Sequence, residues 1–177
     1  MMGRGVVLVM LGLLVAGCED YSAPRYSMSA DSQVALKGLG TVRINVGDFH
    51  EPKQFGPGCR AAGPITASDK LGFAAYIRKA LVDELKVAGL YNETSAVTLT
   101  GEVDKLAFSS TVGSWDIGLV VTSSNGKSLA VEEHYSFPTA FAAVNACKRV
   151  ADAYAPAVQD LIQKLVSSPA FRSLIQG

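Results

Sequence analysis

From Thr41 onward the apolar positions follow two periods. Val42, Ile44 and Val46 alternate with Arg43, Asn45 and Gly47, the mark of a strand with one buried face. Phe73, Ile77, Ala80, Leu81, Leu85 and Ala88 then recur at helical spacing, with Arg78, Lys79, Asp83 and Lys86 on the opposite side. This pattern predicts an amphipathic helix over 67–88. Thr66 or Ser68 can serve as N-cap, Thr66 with Asp69 approximates a capping box, and Gly89 suits the C′ position.

Three strands come next. Val97, Leu99 and Val103 share one parity and Leu106 and Phe108 the other, which predicts a bulge near Asp104-Lys105. Trp115, Ile117, Leu119 and Val121 form one row; Leu129, Val131, Tyr135 and Phe137 form another. A two-residue Asn125-Gly126 turn would put these rows on opposite faces. A three-residue Ser124-Asn125-Gly126 loop instead sets Val121 against Leu129, Leu119 against Val131 and Trp115 against Tyr135, with Gly126 at a left-handed position. Trp115 begins an apolar row, which reads as core before it reads as an interface anchor.

A final helical segment runs from about Thr139 to Val166. Cys147, Ala151, Tyr154, Val158, Leu161, Ile162 and Leu165 form its stripe, and Pro156 lies inside it and should kink it. Ser168-Pro169 can start a short last helix with Phe171, Leu174 and Ile175 turned inward. The order β-α-β-β-β-α predicts an α+β two-layer sandwich over residues 41–177. Its four-stranded mixed sheet carries two main helices on one face, and its first connection is a crossover through a helix, right-handed if the first two strands lie parallel.

Between Phe49 and Gly63 the turn formers Gly56, Pro57, Gly58 and Gly63 predict a long loop. Loops of that length are often functional, so Phe49, Phe55 and Pro57 are candidate partner contacts. Glu19 to Gly40 shows no sustained period and reads as a flexible tether that would hold the domain off a membrane, with Tyr21 and Tyr26 placed at the bilayer interface.

The first 18 residues carry a single charge, Arg4, followed by an apolar run from Gly5 to Gly17. That run falls short of the roughly 20 residues a spanning helix needs, and it ends in small residues. It reads as a signal peptide over residues 1–17, with a buried helix or a short membrane anchor as alternatives. Leu14-Val15-Ala16-Gly17-Cys18 resembles the lipobox of bacterial lipoproteins, departing from the family's usual Leu at Val15. The resemblance implies cleavage before Cys18, diacylglyceryl attachment to its thiol and anchoring through several acyl chains. Residues 18–40 would then be the lipidated N-terminus and tether. Glu19 follows the Cys where the family's inner-membrane members tend to carry Asp, so this position leaves the sorting open between the two membranes, and the outer membrane is the expectation.

Lipidation of Cys18 would leave Cys59 and Cys147 as an even pair in an oxidising compartment. A Cys59–Cys147 disulfide is expected, with two buried thiols as the alternative.

Composition narrows the functional classes. Lys plus Arg and Asp plus Glu number 16 each, so no basic footprint for nucleic acid exists, and 49% apolar content excludes a disordered chain. Asp48-Phe49-His50-Glu51 offers metal-capable groups, but no HExxH, CxxC or HxH spacing occurs, so neither metal nor cofactor is expected. His134 is expected to pair with Glu132 or Glu133 on the surface. No GxSxG elbow is present, and a Ser-His-Asp triad could arise only by spatial assembly.

The element order also resembles small periplasmic α/β domains of the YajG-type lipoproteins, the N-terminal domain of the TolB family and the LPS-assembly lipoprotein. That resemblance is one of topology. It implies a non-enzymatic envelope role and transfers no functional residue. The expectation is therefore a membrane-anchored envelope lipoprotein facing the periplasm, acting as a binding, scaffold or assembly component on a protein partner. A lipid or glycolipid carrier is the alternative and a hydrolase the remote one.

Overall fold

The computed structural model describes residues 21–176. The chain adopts the expected α+β class. A four-stranded mixed sheet has the order β2-β5-β6-β7, formed by Asn45–His50, Thr98–Ser109, Ser114–Ser123 and Ser128–Ser136. β2 and β5 are parallel and the rest is an antiparallel meander. α2 (Phe73–Val87) lies on β2 and β5, and α3 (Ala143–Ser167) on β6 and β7. α4 (Pro169–Ile175) closes the end with Phe171, Leu174 and Ile175 buried, and the Ser168 hydroxyl caps it by accepting the Ala170 N–H.

The strand pairing follows the apolar rows. Val121 faces Leu129, Leu119 faces Val131 and Trp115 faces Tyr135. Gly126 has φ +84, the left-handed conformation the three-residue loop demands. Across β5–β6, Val103 faces Leu119 while Lys105 faces Gly118, so Asp104 is the extra residue of a bulge. Leu106 is thereby returned to the buried face that Leu99 and Val103 occupy. Trp115 belongs to the core, where its indole N–H donates to the Val150 carbonyl at 2.8 Å. Tyr154, also fully buried, packs with its ring centroid 4.9 Å from that of Trp115, tilted, and 5.0 Å from that of Phe73, edge-on.

Three expectations need correction. First, residues 21–40 are not a free tether. β1 (Tyr21–Ser22) pairs with β4 (Gly63–Thr66), and α1 (Ala30–Lys37) packs against α2 and α3. Tyr21 is buried, and Tyr26 makes an edge contact with Tyr76 at 6.4 Å, so neither tyrosine is available to a bilayer as a free tether residue. The reason is Glu84, fully buried on α2. Its carboxylate accepts from the Tyr26 hydroxyl at 2.8 Å, the Ser29 N–H at 2.7 Å and the Gln33 amide.

Second, the helix expected from 67 starts later. Ser68–Lys70 is an isolated turn in which Asp69 and Lys70 both have φ +57, which a helix cannot continue through. α2 begins at Phe73 and is capped from a distant segment, where Glu51 accepts the Ala74 N–H at 3.2 Å.

Third, the Phe49–Gly63 stretch is not a free loop. β3 (Gly58–Cys59) pairs with β4, and together with β1 they form a small second sheet in the order β1-β4-β3. A bulge between Val46 and Phe49 turns both residues inward. The Phe49 ring lies over Gly101, where a side chain would collide with it.

Both outer edges of the main sheet meet a cation. Arg78 on α2 donates to the carbonyls of Val46 and Gly47 on β2. Lys164 on α3 donates to the Glu132 carbonyl on β7 at 3.1 Å.

Candidate functional site

Cys18 and the lipobox-like motif expected around it lie outside the described residues. Cys59 and Cys147 form a disulfide spanning 88 residues, with Cα atoms 5.9 Å apart. It joins the small sheet to the first turns of α3. Beside it, Arg60 and Ala61 turn the β3–β4 hairpin with φ +44 and +54, and the Ala62 N–H donates to the Cys59 carbonyl. Two positive φ values in a tight turn normally call for Asn-Gly. Here the Arg60 side chain secures the turn. It donates to the Ser110 hydroxyl and carbonyl and to the carbonyls of Ala140 (3.1 Å) and Phe141 (3.0 Å).

The expected partner contacts separate. Phe49 is buried; Phe55 sits 5.0 Å from Phe73 and 6.4 Å from Trp115, in the aromatic core; Pro57 is half-buried. What the aromatic residues of this stretch do is close the core. A different concavity is available. Tyr135, Phe137 and Pro138 from the end of β7 face Arg149, Asp152, Ala153 and Pro156 on α3 across an open groove of about 460 Å³. Pro156 explains part of this wall. Lacking an N–H, it leaves the Asp152 carbonyl without its helical donor inside the groove lining. Arg149 is held to the Thr139 carbonyl at 2.7 Å, and Asp152 is 3.6 Å from Lys148. The groove is therefore mainly apolar with one anchored guanidinium and one carboxylate, a lining suited to a short apolar segment with a polar terminus. Only the Pro inside a long helix marked this place in the sequence.

The histidines divide. His50 is exposed, and no group of three or more His, Cys, Asp or Glu side chains among the described residues could hold a metal ion. His134 pairs with neither Glu132 nor Glu133. Its Nδ1 lies 3.0 Å from Asp116 Oδ1 across the β6–β7 ladder, and its Nε2 lies 3.4 Å from the Ser136 hydroxyl. The His134 hydrogen bond, reinforced by Lys105, holds the Asp116 carboxyl below its usual range. Ser136, His134 and Asp116 thus stand in the order of a proton relay. They do so on the open face of the sheet, where the His134 side chain is 63% exposed. Water there screens charge and leaves the hydroxyl solvated, the reverse of a site built to stabilise an oxyanion.

Glu133 has the parity of the apolar row, is buried and faces α3, with Lys164 Nζ 2.7 Å from its carboxylate. Burial, then the Glu133 charge, push the neighbouring Asp160 carboxyl up, and Lys164 opposes them.

No family model matches this sequence, and no curated protein matches it.

Proposed function

We propose that the chain is a lipid-anchored lipoprotein of the bacterial cell envelope, facing the periplasm, with the outer membrane as the favoured seat. It acts there as a non-catalytic binding or scaffold component for another envelope protein. One observation carries the reading. Of three cysteines, Cys59 and Cys147 are engaged with each other, and the one left over is Cys18, at the end of the apolar run and in the lipobox-like motif. A disulfide in a domain of this size fits an oxidising compartment. The β7–α3 groove is the partner site this reading favours. A carrier would need an acyl-sized space between helices and sheet, but Trp115, Tyr154, Ile77 and Leu81 fill that interval.

The test is the intact mass of the N-terminal peptide of protein extracted from membranes. A peptide starting at Cys18 with added acyl groups supports the reading, and an unmodified Cys18 refutes it. Density fractionation then assigns the membrane. Crosslinking from Arg149, followed by mass spectrometry, should capture one recurring protein, whereas copurifying lipid alone would favour the carrier.

The order Ser136–His134–Asp116 is what the remote reading, hydrolysis of an activated ester, would rest on, and its exposure counts against it. That reading requires that the purified protein cleave p-nitrophenyl acetate and that Ser136→Ala abolish the rate; an unchanged rate sinks it.

A further inference from the structure

The described chain enters the domain at Tyr21, which lies parallel to β4 with Tyr21 opposite Ile65 and Ser22 opposite Thr66. Traced backward, this direction leads along β4 toward Pro64, Gly63 and the turn at Arg60–Ala62. Arg60 ties that turn to Ser110, Ala140 and Phe141, and the disulfide ties it to α3. The chain entry, the β5–β6 turn and the start of α3 therefore share one end of the molecule.

That end carries exposed apolar side chains on fixed backbone. Phe141 is fully exposed, Val112 is 76% exposed and Val144 50%. The Arg60 guanidinium holds the Phe141 carbonyl. Gly113, at φ +85, holds the turn that presents Val112; its carbonyl accepts the Phe137 N–H, and a Cβ there would strike the Phe137 carbonyl. Phe141 and Val112 are thus held out in water on backbone fixed by hydrogen bonds. Lys148 and Arg149 follow one turn along α3, and the first turn of α3 has no side-chain cap.

We propose that this end is a bilayer-contact face, with Phe141, Val112 and Val144 seated in the interfacial region of the phospholipid membrane that holds the Cys18 acyl chains. The proposal rests on the lipoprotein reading. Cys18 precedes Tyr21 by three residues, so connectivity alone keeps it within about 11 Å of that strand. Residues 21–40 are docked, so they supply no slack to lift the domain away. Apolar side chains at the headgroup boundary gain burial there, and Lys148, with its side chain 70% exposed, can extend its ammonium to the phosphates.

The experiment uses the mature, acylated protein in phosphatidylethanolamine–phosphatidylglycerol vesicles containing a brominated-chain phospholipid as quencher. Phe141→Trp is compared with Val34→Trp. Val34 lies on α1, between the Gln159 contact to Ser27 and the Arg172 contact to Gly38, toward the opposite end of α3. Trp115, fully buried, is a constant background in both. The Phe141→Trp emission should shift to the blue and lose most of its added intensity, while Val34→Trp emission stays unquenched. Equal quenching at both positions, or none at 141 on acylated and vesicle-bound protein, overturns the proposal alone. A contact with protein at this end would give a blue shift without quenching, which also overturns it. A peptide mass without acyl groups removes the lipoprotein reading, and the bilayer face with it.

Discussion

Two side chains gather distant segments of the chain, and they do so with opposite chemistry. Glu84 is a buried acceptor that draws in Tyr26, Ser29 and Gln33 from the N-terminal segment. Arg60 is a donor that gathers the carbonyls of Ser110, Ala140 and Phe141. Arg60 has a covalent bond beside it and sits in a turn with unfavourable φ values; Glu84 has only hydrogen bonds, from a hydroxyl, an N–H and a carboxamide rather than a cation. A charged group without a covalent neighbour makes its segment separable, because loss of the group strands buried donors on one piece of chain. With the disulfide beside it, the same kind of loss is shared by the whole fold.

Breaking the covalent bond should produce the largest effect. Cys59→Ser with Cys147→Ser, or reduction, should lower stability by about 4 kcal/mol for a loop of 88 residues, read as a shift of the urea midpoint. Glu84→Ala should cost about 3 kcal/mol and act locally. Hydrogen exchange should rise across residues 21–40 while β5–β7 stay protected; uniform loss of protection would erase the contrast. Arg60→Ala should cost about 2 kcal/mol with the disulfide intact, without freeing a discrete segment. Ala61→Gly should act in the other direction and stabilise by about 1 kcal/mol, since glycine accepts the positive φ that alanine resists. The smallest effect is one of pH. Burial, then the Glu84 hydrogen bond and charge, hold the Tyr26 phenol above its usual 10.0. A raised native pKa gives stability that is complete below pH 10 and declines above it, because the unfolded tyrosine ionises first. The N-terminal segment should therefore loosen first in alkaline titration. The Arg60 contacts involve no phenol and should persist, as exchange at Phe141 would report.

The elements with a repeated apolar period were legible in the sequence. The β6–β7 register, the Asp104 bulge, the α3 stripe and the short α4 all follow from which face must be buried. What escaped depended on single long-range contacts. α1 buries only Ser32 and Leu36, too little for a periodic signal, and its anchor is a glutamate on another helix. The start of α2 depends on Glu51, far upstream in the chain. Phe49 and Phe55 sit among turn formers, whose composition describes the backbone and is silent about where two rings go. The groove came to light only once β7 and the Pro156 turn of α3 lay side by side.

Arg78 and Lys164 carry one more consequence. An open sheet edge is a template on which another copy of the same chain can add a strand. A strand arriving at β2 must displace a guanidinium from two carbonyls, and one arriving at β7 must displace an ammonium. These two cations work against polymerisation, and they leave the groove beside β7, rather than the sheet edge itself, as the place for another molecule to bind.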